Sequence, residues 1–383
     1  MLTAEMARAA GKRAAGATRL ARAVALRLAP LAPLVIVAVG LLVTARIYYL
    51  EQHYYDAGAL YRRIAAFADI GTISGTHLGL QGLAMNKNPV GFDGQFFYFI
   101  ALDPKQPLIC ATHTPNCALD DAFGIVRAER LLYPYTAGLL TLGHADWVPY
   151  PLLLVNFASI LITAWLVGRM CVEAGASRWL GAVAALYTGE IQGFLRDLAD
   201  PFAVLWVVLA VYLLRTGRYL AFALAVAAAL LTREQLILTI PLLYLPLLVA
   251  RRWRTFAAAL AIGFGPFVAL QVALRVIWGR WALASGDTQG AGVGNGILPL
   301  PFHGLFESGM QIESGMMLAF VVAPLVAACG ASLLALWHAH QVDGWQGVLT
   351  DPVPLFILAY SLLLSLTSTI LWHDMWTPSR LAA

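Results

Sequence analysis

An all-α polytopic membrane protein with about 9–10 transmembrane helices is the fold class this chain predicts, and three observations predict it. Of 383 residues, 60% are hydrophobic and only 12% charged, roughly half of the ~25% charged share typical of soluble domains. Apolar runs recur along the whole chain. Short basic clusters lie between those runs, as the Lys/Arg bias of cytoplasmic loops requires. A single water-soluble core does not accommodate this composition.

Residues 1–27 carry Arg8, Lys12, Arg13, Arg19, Arg22 and Arg27 against one acid, Glu5. Nucleic-acid binding is one reading of such a segment. The apolar run at 28–45 favours the other, a cytoplasmic flank before a membrane span, and its length suits an uncleaved helix better than a signal-peptide core. Spans are predicted near residues 28–49, 149–168, 179–195, 201–214, 219–232, 235–250, 256–277, 315–337 and 353–372, all within a single transmembrane domain over 28–383. Several are short for a bilayer, which needs about 20 residues per helix.

Charge sets the orientation. Arg169 and Arg178, Arg215 and Arg218, and the group Arg251, Arg252 and Arg254 should all be cytoplasmic. With the N-terminus also inside, the run 131–143 ("LLYPYTAGLLTLG") cannot be a full crossing, or every later loop inverts. It is predicted as an interfacial or re-entrant helix on the outer side. Residues 50–148 then form one large outer loop, with a further interfacial helix at 61–84. The Gly- and Pro-rich outer loop 278–314 reads as a plain connector or as a mobile lid. No internal repeat is visible, so the inverted halves of many transporters are not evident. Cys110 and Cys117 share a polar loop and are either a disulfide, if that loop faces an oxidising compartment, or two free thiols.

The outer side collects nearly all the unusual polar groups. The first loop carries Asp93, Asp103, Asp120, Asp121, Arg127, Glu129 and Arg130. "FLRDLADPF" adds Arg196, Asp197 and Asp200; "LLTREQL" adds Arg233 and Glu234; "LWHDMWTPSRLAA" adds His373, Asp374 and Arg380. Ionisable groups at membrane depth cost about 2.5–3.5 kcal/mol each, so they pair or line a wet cavity. A short solvated turn accounts for any single one; the set predicts an outward-facing cavity.

Such a cavity suits transfer of a sugar from a lipid phosphate to a hydroxyl. A carboxylate takes the proton of the attacking hydroxyl. Fixed cations hold the anionic leaving group. Asp93 fits the base, with a turn or N-cap carboxylate as the alternative. Arg127 and Arg130, three apart, would share a helix face and grip one phosphate, or else anchor anionic headgroups. Asp103 precedes Pro104 and reads as a turn or a supporting group. Phe92, Phe96, Phe97 and Tyr98 pack, or stack on sugar.

"GFDGQFFYFIALDP", "VRAERLLYP", "FLRDLADPF" and "ALLTRE" resemble, in that order, motifs of a bacterial family of polytopic glycosyltransferases, itself similar to the C-type superfamily that uses polyprenyl-phosphate sugars. The resemblance runs from about residue 30 to 255, with "HDMWTPSR" near the end. It implies a catalytic base at Asp93, a second outer acidic loop at Asp197 and Asp200, and interfacial helices in the first outer loop. Here Asp93 is followed by glycine where the superfamily often pairs acids. Arg127, Arg130 and Arg380 are expected on the donor phosphate. Asp103, Asp197, Asp200, Arg233, Glu234, His373 and Asp374 are expected to hold the acceptor or support the cavity. No cofactor is expected, although some superfamily members use a divalent cation, and oxygens of Asp93 and Asp197 would suit Mg²⁺ or Mn²⁺.

The expected function is therefore that of an inverting glycosyltransferase, acting on the periplasmic face of a bacterial inner membrane. Its expected partners are a lipid-linked sugar donor and membrane lipids, not nucleic acid. A transporter or flippase is the rival reading, and would place charges near the bilayer midplane. A polymerase or ligase of lipid-linked glycans is another, and would share the arginine-rich loop.

Overall fold

The computed structural model describes residues 31–51, 64–71, 91–111, 124–283 and 322–365. Asp120, Asp121, His373, Asp374, Arg380 and most of the 278–314 loop lie outside the described residues. In chain order the α-helices are α1 (Ala32–Glu51), α2 (Gly94–Leu102), α3 (Gln106–Ala111), α4 (Gly124–Arg127), α5 (Leu132–Leu140), α6 (Pro149–Glu173) and α7 (Trp179–Ala185). They continue as α8 (Thr188–Leu195), α9 (Asp200–Arg215), α10 (Tyr219–Thr232), α11 (Leu245–Val249), α12 (Trp253–Trp278), α13 (Ala323–Thr350) and α14 (Val353–Ser365).

Among the described residues, four helical segments are long and apolar enough to cross a membrane: Ala32–Tyr49, Ala145–Glu173, Trp253–Trp278 and Ala323–Thr350. At about 1.5 Å per residue the first approaches the ~30 Å hydrocarbon core and the other three exceed it. Their outward faces carry exposed Val35, Ile36, Val39 and Leu42 on α1 and Leu333, Leu334 and Trp337 on α13. The protein is thus a helical membrane protein. α6 opens on Pro149 and α9 on Asp200-Pro201. Proline fits a first turn because its missing N–H has no intrahelical partner there, and Asp200 complements the helix dipole.

Several predicted spans take another form. The run 179–195 divides into α7 and α8, with a break at Leu186 and Tyr187. The run 235–250 is two 3₁₀ turns, Glu234–Leu238 and Ile240–Tyr244, followed by the single turn of α11. Pro241 and Pro246 lack the N–H that an α-helical ladder needs. Near the end, α13 continues past residue 337, where the predicted span stops, through the polar stretch "HAHQVD", and kinks at Gly344, whose φ is +61°. The 131–143 run contains α5, nine residues long and so about 13 Å, too short to cross. Leu139 and Leu142 at its end are 78% and 80% exposed. The described part of 61–84 departs from expectation: Ala65–Ala68 form a buried 3₁₀ turn rather than a surface-lying helix.

An aromatic knot fixes α2. Phe97 meets Tyr133 edge-on at 5.5 Å between ring centres, and Tyr133 meets Phe202 at 6.0 Å. The Tyr133 hydroxyl donates to the Leu152 carbonyl at 3.1 Å and accepts from Asn156 at 2.9 Å. One tyrosine thus ties α2, α5, α6 and α9 together. The N-terminus of α2 presses on two other segments: a Cβ at Gly94 would lie 2.1 Å from the Arg196 carbonyl oxygen and 2.9 Å from that of Ala68. Both obstacles are backbone, so neither can swing aside. Gly94→Ala is expected to lower stability by about 1–3 kcal/mol or more, read as a lower melting temperature of the detergent-solubilised protein. An unchanged melt would show that this junction is loose.

Cys110 on α3 is disulfide-bonded, and its expected partner Cys117 lies outside the described residues. Cys171 and Cys329 are free.

Candidate functional site

Asp93 stands immediately before α2 with helical backbone angles and no side-chain capping bond. Its carboxylate reaches sideways instead. Oδ1 accepts from Nε and Nη2 of Arg127, both at 3.2 Å, and Oδ2 accepts from Nη1 of Arg130 at 3.4 Å. Arg127 ends the one-turn helix α4, and its guanidinium lies 3.6 Å from the centre of the Phe96 ring. Arg130 follows in the next turn. Its other two donors form a fork on Glu234, Nε to Oε2 at 2.8 Å and Nη2 to Oε1 at 2.7 Å. Glu234 opens the 3₁₀ turn after α10, and its neighbour Arg233 pairs with Asp200 at the head of α9, at 3.1 Å.

Asp93, Arg127, Arg130, Asp200, Arg233 and Glu234 therefore form one network from four separate stretches of sequence. The network grades from dry to wet. The Arg130 and Glu234 side chains are 8% and 7% exposed, whereas that of Asp93 is 39% exposed. Such a gradient holds a cation rigidly from behind and leaves the carboxylate open in front.

The electrostatics follow from that placement. Burial alone would raise the Asp93 pKa, but the charges of Arg127, Arg130 and Arg233 outweigh it and hold the carboxyl below its usual range. Glu234 likewise is pushed up by burial and pulled further down by Arg130 and Arg233. Burial works against the charge on Arg130, yet Glu234, Asp93 and Asp200 raise its pKa well above normal.

Two expected residues lie elsewhere. Asp103 sits at the far end of α2, about 15 Å along the chain axis from Asp93. There it accepts from the Lys105 backbone N–H at 3.0 Å and the Gln106 side chain at 3.3 Å, shaping the turn into α3. Asp197 is fully buried in a left-handed conformation, φ +48°, and neither carboxylate oxygen has a hydrogen-bond partner. Burial raises its pKa well above the usual carboxylate range. Phe97 and Tyr98 are buried as packing residues, while Phe92 lies beneath the Arg196 guanidinium at 3.9 Å. Among the described residues there is no cluster of three or more His, Cys, Asp and Glu side chains placed to hold a metal ion.

Four further polar groups join the network. Glu129, between the two arginines, accepts from Gln271 Nε2 on α12. Glu190 on α8 lies within electrostatic reach of Asp200. Tyr360 on α14 lies within reach of Glu190, Asp200, Arg233 and Glu234. A lone acid inside the apolar run 179–195 and a lone amide inside 256–277 were the available signals for Glu190 and Gln271; a tyrosine in an apolar helix gives none.

An apolar groove of about 470 Å³, lined by Leu140, Trp147, Tyr150, Pro151 and Leu154, lies where α5 ends and α6 begins. α5 runs alongside α2, with Tyr133 against Phe97 and Gly138 against Ala101, so the groove is a helix length from Asp93. In comparisons with known proteins, no family model, no curated protein and no solved structure matches the chain.

Proposed function

We propose that the protein is an integral-membrane glycosyltransferase that moves a sugar from a polyprenyl-phosphate donor to a hydroxyl acceptor, at the outer face of a bacterial inner membrane. The observation that carries the reading is the convergence of Asp93, Arg127 and Arg130, one half-exposed carboxylate between two fixed guanidinium groups. In the proposed reaction the acceptor oxygen attacks the anomeric carbon and the bond from that carbon to the phosphate oxygen breaks. The hydroxyl proton passes to Asp93, and the polyprenyl phosphate departs with its charge against Arg127 and Arg130. A single displacement of this kind inverts the anomeric centre.

The ligand-free pairing makes Asp93 a weak base, because both arginines favour its anion. A donor phosphate competes for the same donors. Arg130 is pinned by Glu234 from behind, so it presents one N–H forward in a constant place. As the phosphate draws positive charge away from Asp93, the carboxylate gains basicity at the moment a hydroxyl is in place. Arg380 is proposed as a further contact to the donor phosphate, and His373 and Asp374 as groups that hold the acceptor or support the cavity.

Orientation is supported by the helix ends. α9 begins at Asp200 and ends at Arg215, and α10 begins beside Arg218 and ends beside Arg233. The site thus lies at the opposite end of these helices from the arginine clusters, which the positive-inside bias places in the cytoplasm. Charges at helix ends rather than mid-helix favour an enzyme over a transporter.

The test is transfer itself. The full chain, reconstituted in lipid nanodiscs, is given a panel of polyprenyl-phosphate sugars and hydroxyl acceptors, and release of polyprenyl phosphate is followed. Arg127→Ala is expected to lower kcat/KM by about 10- to 100-fold, the size of one lost charge-assisted contact. Turnover that is unaffected by this substitution would remove Arg127 from the phosphate site; no turnover with any donor would remove the reading.

A further inference from the structure

We infer that Glu129 is held as a neutral carboxylic acid joined to Gln271, and that its proton sets the charge of the site that receives the donor phosphate. The part concerning phosphate rests on the proposed function; the buried proton does not.

The first observation is a pair of orphan atoms. Gln271 Nε2 donates to Glu129 Oε2. Glu129 Oε1 and Gln271 Oε1 are both buried with no partner. Both are acceptors when Glu129 is ionised, so neither can satisfy the other. A proton on Glu129 Oε1 makes it a donor to Gln271 Oε1 and closes a two-bond ring of acid and carboxamide. One proton satisfies two otherwise stranded groups.

The second observation is charge. Arg127, Arg130 and Arg233 balance Asp93, Asp200 and Glu234. Glu129 and Glu190 add two further carboxylates to the same network, and neither makes a salt bridge among the described residues. Fully ionised, these eight groups sum to minus two, which repels a phosphate. The surroundings of Glu129 point the same way. It is 1% exposed, and its sequence neighbours Ile125 and Ala128 belong with Leu274 and Ala282 to one buried apolar cluster. The charged and polar groups facing it are Glu234 from the turn after α10, Arg130 from its own segment, and Gln271 from α12. Burial first, and then the Glu234 charge, push its pKa to about 8.

The sign follows. The acid is protonated below about pH 8, so the site is least negative and holds an anion best there. As pH rises through that value the proton leaves, a new charge appears beside Glu234, and Arg130 is drawn back from the phosphate. If the ligand binds only the protonated form, affinity falls by up to about tenfold per pH unit above 8.

The experiment uses wild type and Glu129→Gln, full-length in nanodiscs, with polyprenyl phosphate as probe between about pH 6 and 9.5. Glutamine is isosteric with the acid and can form the same two-bond ring with Gln271, so the variant should fold; its melting curve checks this. Wild-type affinity is expected to fall above about pH 8 more steeply than that of the variant, in which only the remaining buried acid of the network, Glu190, can still titrate. Alongside, infrared spectra of the ligand-free proteins should show a buried carboxylic-acid carbonyl component that is lost in wild type on raising the pH through 8 and that the variant lacks, against the bands that buried Asp197 and Glu190 contribute to both proteins. A titrating band no larger in wild type than in the variant, or two proteins with the same pH profile of binding, would overturn the inference. A titrating band without binding of polyprenyl phosphate at any pH would instead overturn the proposed function and leave the buried proton established.

Discussion

Asp93→Asn is expected to slow sugar transfer by about 10²- to 10⁴-fold while leaving the fold intact, the usual worth of a general base. The substitution keeps shape and one acceptor oxygen but cannot take a proton. Folding should survive for two reasons. The Asp93 side chain is 39% exposed, so water reaches the group, and the asparagine amide oxygen still accepts from Arg127. Arg130 also keeps its fork on Glu234. The informative measurement is single-turnover rate with saturating donor, beside a melting curve for each protein. A variant that melts normally and transfers sugar at the wild-type rate would assign the proton to another group.

Glu234→Ala should act on the fold instead, with a loss of about 3–5 kcal/mol. The change strands the Arg130 guanidinium, 8% exposed, with only a 3.4 Å contact to Asp93 in place of a two-bond fork. A buried cation without its partner carries nearly the whole desolvation penalty. Glu234→Gln should be milder, because one acceptor remains. Equilibrium unfolding in mixed detergent, or melting followed by tryptophan fluorescence, checks the order wild type, then Gln, then Ala. An alanine variant as stable as wild type would mean that water reaches Arg130.

Much of this network was legible in the chain because charge among apolar residues is conspicuous. Asp93, Arg127, Arg130, Asp200, Arg233 and Glu234 stand out in four short stretches, and they meet. Which of them pair was not legible. Pairing Arg130 with Glu234 depends on how the segment before α5 is laid against the turn after α10, a matter of tertiary packing. The same limit explains Asp103 and Asp197. Their composition resembles that of Asp93, but one turns the chain between α2 and α3 and the other is sealed beside Tyr133. Hydropathy located the long helices α1, α6 and α12 well, since it counts apolar side chains. It could not see that residues 235–250 lack a regular α-helix, because leucine-rich sequence stays apolar whatever its backbone angles. Pro241 and Pro246 were the available clue.

The fork between Arg130 and Glu234 closes across 104 residues of chain. Ribosomes extend a polypeptide at about 5–20 residues per second, so this arginine is made roughly 5–20 s before its counterpart exists. Throughout that interval the Arg130 guanidinium lacks the carboxylate that holds it from behind. The bond can form only after α9 and α10 have been made and packed as a hairpin that brings Glu234 back to the first loop. Assembly of the network therefore doubles as a check on topology: a chain that packs this hairpin the other way round leaves Glu234 at the far end and never closes the fork.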